Sequence, residues 1–434
     1  MPDRKPPLDG VRVLAQGIVW AGPFSTLILA DLGAEVIEIE SIQHLNPTRT
    51  SMRHIPDVVL QGIGGSYYLN RDGSEGFWDR QAWFNYAKRG CKSVTLDLGS
   101  ETGRELFYEL VRRSDAFLEN NAAGVAETLG VDWDTLQRIN PRLVMVRFPG
   151  FGITGPYRHH KGYGSNMEAV AGHTMVRGYR DSDASTTPAS LHGDPNAGAH
   201  VAWAIQAALL ARERTGRGQL VEIAQAEAVT HHIAYDLLDY DMNGRESGPR
   251  GNTHPAIAPY GVSRCSGDDR WIAISAPSDA AFAALCGVLG LPELVHDERF
   301  ATLPARLRHR DAIDALIAAA TPAHDAQALA AQLQAAGVPA APLAHQQEMH
   351  EDPHLRARGF FNAITHPAAG THLYPGPLAK LAHTADVPPF KPAPTLGQHN
   401  AYVLKELLGI TDERYAQLVA DQAIGESYLE SAHA

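Results

Sequence analysis

Residues 11–40 read VRVLAQGIVWAGPFSTLILADLGAEVIEIE, and the reading of this stretch decides the fold class. VRVLAQ and AEVIEIE are short aliphatic runs, and between them GPFSTLILADLG opens on Gly22-Pro23 and closes on Gly33. Proline at the start of a helix forfeits no hydrogen bond, and glycine ends one readily because it tolerates a left-handed backbone. The segment therefore predicts strand, helix, strand. The alternation continues through KSVTLDL (92–98), a helix in SETGRELFYELVRRSD (100–115), the strand AFLEN (116–120), a helix in VDWDTLQRI (131–139) and RLVMVRF (142–148). Strands separated by helices of this length imply an α/β fold, Rossmann-like, with a mainly parallel sheet covered on both faces. Ligands of such sheets bind outside the carboxyl ends of the strands. Asn120 and Asn121 stand at one such end, and the loop from Gly17 to Pro23 stands at another.

A chain of 434 residues is too long for one simple core, and 44% hydrophobic residues suffice for two. We expect a large domain over 1–225, a smaller α+β domain over 226–345, and a segment over 346–434 that returns to the large domain. The helix NAGAHVAWAIQAALLARER spaces Val201, Ile205 and Leu209 by four, and QLVEIA and AEAVTHHIAYDLLDYDM read as a strand and a helix. The smaller unit begins with the strand RWIAISA, followed by helices in DAAFAALCGVLG, ARLRHRDAIDALIAAA and DAQALAAQLQAAG. The last residues turn extended and proline-rich, with one predicted helix near AYVLKELLG. Residues 41–82 lose all periodicity, and Trp78 and Trp83 near their end hint at an apolar pocket.

Composition excludes several classes. A formal charge of −12 argues against a nucleic-acid footprint. No stretch approaches the ~20 apolar residues of a membrane span, and MPDRKPPLDG lacks a signal-peptide core, so we expect a cytoplasmic protein without membrane contact. Cys91, Cys265 and Cys286 form no CxxC pair and suggest no disulfide framework. The histidines at 231, 232, 345, 350 and 354 lack ligand spacing, so no metal is expected. The turn QGIVWAGPF has no GxGxxG spacing, which argues against a nicotinamide enzyme, although Glu38 or Glu40 falls near where a ribose-binding acid would lie. No GxSxG elbow marks a serine hydrolase.

One short segment carries chemistry. SLHGDPNAGAH, residues 190–200, sets Asp194 between Gly193 and Pro195. The plain reading makes Asp194 a helix cap with Pro195 at the first helical position. The sharper reading makes its carboxylate a nucleophile at the head of a helix, with Gly193 removing bulk where a reactant must approach. PGFGITGP, with Gly150, Gly152 and Gly155, suggests another closely approached backbone.

PLDGVRVLAQGIVWAGPFSTLILADLGAEVIEIE, YAKRGCKSVTLDLGSETGRELFYELVRRSDAFLEN, GVDWDTLQRINPRLVMVRFPGFGITGPY, TGRGQLVEIAQAEAV and EDPHLRARGFF together resemble the family III CoA-transferases. This family includes formyl-CoA and carnitine CoA-transferases and α-methylacyl-CoA racemases. The resemblance implies CoA transfer from an acyl-CoA to a carboxylic acid, with Asp194 forming a mixed anhydride and then an aspartyl-CoA thioester. It also implies an interlocked homodimer and CoA-site roles for Asn120, Asn121, Lys161 and Tyr163. Lys88 and Arg89 in AKRG resemble a basic family motif that could neutralise the CoA phosphates. Trp20 replaces a glutamine or arginine on the acyl side. Thr128 stands where formyl-CoA transferase clamps the nucleotide with arginine, and residues 41–48 lack that enzyme's early arginine, which leaves Arg49 as the nearest candidate. Residues 250–257, RGNTHPAI, are the candidate moving cover. In the racemases a histidine and an acid occupy the segment that here reads KGYGSN, with Tyr163 and Gly164 in their places. Transfer is therefore preferred to racemisation, and a silent CoA-binding protein is the remaining alternative.

Overall fold

The computed structural model describes residues 5–382, 384 and 390–430. Six parallel strands form its main sheet: β1 (Arg12–Gln16), β2 (Glu35–Glu40), β3 (Lys92–Thr95), β4 (Ala116–Glu119), β5 (Val144–Arg147) and β6 (Leu220–Glu222). Their order is β3-β2-β1-β4-β5-β6, the doubly wound arrangement in which chain direction reverses beside β1. The helices that join or cover them are α1 (Ala21–Asp31), α2 (Ala82–Ala87), α3 (Glu101–Arg112), α4 (Trp133–Ile139), α5 (Gly164–Val170), α6 (Gly193–Thr215) and α7 (Gln225–Thr230).

Strand periodicity explains why both faces are covered. Val13, Ala15, Ala116, Leu118, Val144 and Val146 point into one layer, where they meet α1 and the Val201, Ile205 and Leu209 stripe of α6. Leu14, Ile37, Val94, Phe117 and Met145 point the other way, against Phe107 and Leu110 of α3 and Val403, Leu404 and Leu418 near the C-terminus. Ser100 and Asp132 cap α3 and α4, accepting from the amides of Gly103 and Thr135.

The chain divides into two compact units. One comprises the described residues up to His173, Ala189–Leu238 and those from Ala357 onward; the other comprises Thr174–Pro188 and Asp239–Arg356. The second unit holds an antiparallel sheet of β7 (Tyr260–Arg264), β8 (Trp271–Ser275) and β9 (Ala340–Pro342). Helices α8 (Asp279–Leu289), α9 (Arg310–Ala320) and α10 (Ala326–Ala335) pack a core of Phe282, Leu285, Ile313, Leu329 and Leu333. The first unit ends in the hairpin β10 (Phe361–His366) and β11 (Gly370–Pro375), a π-helical turn at Tyr402–Leu407 and α11 (Asp412–Ala420). No described helix is long and apolar enough to cross a membrane.

Two expectations change. The predicted helix AEAVTHHIAYDLLDYDM breaks after Thr230 into a tighter turn at His231–Ile233 and a helix at Ala234–Asn243. The stretch after Ser41 makes a satellite core of Ile42, Ile55, Leu60, Phe77 and Trp78. Trp78 lies 5.3 Å from Tyr428, ring to ring, so it closes that core rather than lining a pocket.

Candidate active site

The helix bearing Asp194 starts earlier than its proline suggests. Gly193 opens α6, His192 precedes it without a side-chain cap, and Asp194 lies in the first turn, so the cap reading of Asp194 is corrected. Its carboxylate accepts instead from the backbone amide of Ala21, the first residue of α1, and from its own amide. Two helix starts thus converge on one carboxylate. Gly198 makes the convergence possible: a Cβ there would stand 2.6 Å from the Ala21 carbonyl oxygen. Gly164, first residue of α5, crowds the same group, since its Cβ would stand 2.3 Å from Asp194 Oδ2. Gly193 spares a different neighbour, because a Cβ there would meet Val229 Cγ2 at 2.6 Å. The bulk removed beside the carboxylate is therefore at Gly164, not at Gly193.

Asp194 is 6% exposed and lines a cavity of about 380 Å³ with Ile18, Val19, Asn120, Lys161, Tyr163 and Gln225. Asn120, just beyond β4, accepts from the Ile18 amide at 2.8 Å and donates to the Ile18 carbonyl at 3.0 Å. This pair fixes the loop that leads from β1 into α1. Val19 within it has φ of 62°, a left-handed conformation that a β-branched residue adopts only under constraint. Leu191, ahead of α6, has φ of 55°. Both residues that enter the two converging helices are thus held in strained backbone.

Burial pushes the Asp194 carboxyl up to about 6; the Ala21 amide opposes the shift and the charge of Glu168 adds to it. The group is poised to be ionised at neutral pH yet remains more basic than a solvated aspartate. Glu168, from α5, is fully buried and accepts from the Ser190 amide at 3.1 Å, Ser190 Oγ at 2.7 Å and the His192 amide at 3.0 Å.

The other expected site residues fall into four groups. Asn120, Lys161 and Tyr163 share the Asp194 cavity; Lys161 also lines an adjoining hollow with Thr128 and the 122–125 turn. Asn121 lines a cavity of about 360 Å³ over the ends of β1 to β3, where it donates to Gln16 Oε1. Trp20 packs edge-on against Trp83 with centroids 4.5 Å apart, and neither lines the Asp194 cavity. The basic candidates turn inward. Lys88 is wholly buried with its Nζ 2.6 Å from Glu38, and Arg89 pairs with Asp31 at 2.6 Å and donates to the Pro375 carbonyl. Arg49 is wholly buried between Glu40 and Asp79, with its guanidinium 3.6 Å from the Phe84 ring centroid. These three cations are paired with carboxylates inside the unit, which also occupies Glu38 and Glu40, so Lys88 and Arg89 do not stand free for CoA phosphates and Arg49 does not stand free as the substitute arginine. Residues 250–257 lie in the second unit, where Gly251 donates to the Gly178 carbonyl. Among the described residues no cluster of three His, Cys, Asp or Glu could hold a metal ion.

Sequence reasoning missed Glu168, Gly164 as a neighbour of the carboxylate, and the Ala21 amide. HKGYGSNMEAV carries Gly164 and Glu168 four apart, which places both on one helical face, but nothing in that spacing points to Asp194.

A doubly wound parallel sheet with a desolvated carboxylate and a cavity at its carboxyl edge defines the class: an α/β protein with a buried acid facing a cavity at the strand ends. Residues 8–400 match the profile described as CoA-transferase family III, and the chain belongs to that family. A succinyl-CoA–D-citramalate CoA-transferase of Chloroflexus aurantiacus is 35% identical over 96% of this chain and 98% of its own length. A formyl-CoA:oxalate CoA-transferase of Streptomyces coelicolor is 31% identical over 96% of this chain and 99% of its own. The crystal structure of a CAIB/BAIF family protein from Brucella suis superposes with a TM-score of 0.79 at 31% identity, covering 93% of this chain and 100% of that one.

Proposed function

We propose that the protein moves CoA from an acyl-CoA to a carboxylic acid through an aspartyl-CoA thioester on Asp194. The observation that carries this reading is the buried Asp194 carboxylate facing the cavity, with its pKa raised to about 6. A carboxylate is a weak nucleophile and a good leaving group, so it can pass an acyl activation along without losing it to water when the site is dry.

In the proposed sequence an Asp194 oxygen attacks the donor thioester carbonyl, the C–S bond breaks, and CoA leaves as the thiolate. The thiolate attacks Asp194 Cγ, displacing the donor acid and forming the aspartyl thioester. The acceptor carboxylate then attacks Cγ and expels the thiolate, which attacks the acceptor's carbonyl carbon and returns Asp194 as the free carboxylate. Negative charge develops twice on oxygen bound to Cγ, where the Ala21 amide is already aimed. Gly164 leaves room for the tetrahedral carbon.

CoA lies, on this reading, along linked hollows: the thioester beside Asp194, the pantetheine over residues 122–129 near Lys161, and the nucleotide end over the strand termini near Asn121. Lys161 is then the cation that meets CoA or the acid, in place of Lys88, Arg89 and Arg49. The interlocked homodimer, the cytoplasmic setting and a covering role for residues 250–257 belong to the same proposal. Relatives named for succinate, glutarate and oxalate make small dicarboxylic acids the first substrates to try, ahead of aromatic acids.

Incubation with succinyl-CoA and related thioesters, followed by hydroxylamine and peptide mass spectrometry, tests the intermediate. A hydroxamate on the peptide holding Asp194 is expected. No modification there with any donor refutes the reading. His160 also lines the cavity, which favours α-proton abstraction as the competing reaction. Deuterium uptake at the α carbon from heavy water without an acceptor acid identifies that outcome.

A further inference from the structure

We infer that Glu168 is a positioning residue for Asp194: its buried carboxylate clamps the 190–192 turn and sets a second negative charge beside the nucleophile. The inference rests on the reading of Asp194 as the nucleophile and goes beyond it. Glu168 grips both sides of one strained residue. Its Oε1 takes Ser190 Oγ and the His192 amide while Oε2 takes the Ser190 amide, and Leu191 between them has φ of 55°. A leucine holds that conformation only where its surroundings over-determine it, and the three accepted hydrogen bonds do so. Asp194 follows three residues after Leu191. Any relaxation of the turn would swing the first turn of α6 away from Ala21 and Gly164.

Charge gives the second half of the argument. Two carboxylates brought close out of water repel, and the one better supplied with donors keeps its charge more easily. Glu168 accepts from Ser190 Oγ and from the Ser190 and His192 amides, whereas the Ala21 amide and its own favour the charge of Asp194. The charge of Glu168 therefore raises the basicity of Asp194. Among the described residues, the titratable groups lining the cavity with Asp194 are Lys161, His160 and Tyr163, and His192 precedes α6; α1 contributes the Ala21 amide and α7 the neutral Gln225.

The test compares the wild type with Glu168→Gln and Ser190→Ala. Glutamine keeps an acceptor for Ser190 Oγ and the His192 amide, turns an NH2 toward the Ser190 amide and removes the charge. With succinyl-CoA as donor, the midpoint of adduct formation against pH is expected to fall by at least about 0.5 unit, with a plateau rate about tenfold lower. Ser190→Ala keeps the charge and loses one bond, so the rate is expected to fall several-fold with the midpoint unchanged. A Glu168→Gln profile that overlays the wild type, or a Ser190→Ala rate equal to it, overturns the inference. A second readout needs no chemistry: the gain in Tm from Asp194→Asn at about pH 8 should be smaller in the Glu168→Gln background than in the wild type. Additive shifts overturn the coupling. Coupled shifts without any Asp194 adduct in the wild type would instead sink the CoA-transfer mechanism while leaving the carboxylate pair intact.

Discussion

Replacing Asp194 with asparagine should abolish CoA transfer and, at neutral pH, make the protein more stable. The folded state holds the carboxyl at about 6 against a solvated value of 3.8, because burial outweighs the Ala21 amide. A gap of about two units corresponds to about 3 kcal/mol that the ionised group costs the folded state. Below the unfolded value both states are protonated and there is no cost. As pH rises between the two values the unfolded chain ionises first, so stability is lost progressively, and above the folded value the whole cost is present. Asparagine carries no charge, fits the same space and still accepts from Ala21. Its advantage should be about 2–3 kcal/mol at about pH 8, or about 3–6 °C in Tm for a unit of this size, and should vanish near pH 4. Thermal unfolding of both proteins across that range measures it. An asparagine variant less stable at about pH 8, or a Tm difference independent of pH, refutes the claim that Asp194 is held charged at a cost to the fold.

Three further outcomes follow from the same geometry. Gly164→Ala puts a methyl 2.3 Å from Asp194 Oδ2, so transfer should fall at least about 100-fold with far-ultraviolet dichroism unchanged; an active alanine variant would mean that the carboxylate reacts from elsewhere. The rate of Asp194 adduct formation should rise with pH through about 6 and then level, as the nucleophile ionises; stopped-time mass spectrometry follows it, and a flat profile between about pH 5 and 8 contradicts the assignment. Lys88→Ala strands the buried Glu38 carboxylate and should cost about 3–5 kcal/mol of stability, whereas Lys161→Ala should leave Tm unchanged and raise KM for acyl-CoA several-fold. Thermal melts and steady-state kinetics on the pair separate the two roles.

The sheet was legible because most of its strands are short aliphatic runs and several of its helices begin or end on Gly, Pro, Ser or Asp. The strand order was not legible, since right-handed crossovers fix the hand of each connection and leave more than one order open. GDPN marked the start of a long helix, and the place of Asn120 after a buried strand marked the carboxyl edge of the sheet. Burial was not legible. Lys88, Arg89 and Arg49 look like surface cations because the sequence does not show that Glu38, Asp31, Glu40 and Asp79 await them across the fold. Trp78 misled for the same reason, since its partner Tyr428 is 350 residues away in sequence. Contacts between a glycine and a distant atom, such as Gly198 with Ala21 or Gly164 with Asp194, leave no periodic trace.

The pairing of α1 with α6 has a practical consequence. The Asp194 carboxylate and the Ala21 amide stand on two rods joined by a glycine contact and backed by the sheet, while the hollow at 159–163 is formed by a loop and that at 122–129 by a turn and a short helix. On the proposed reading, redesign of which acids are exchanged can therefore be confined to the 159–163 loop, with the chemistry left as a fixed cartridge in the scaffold.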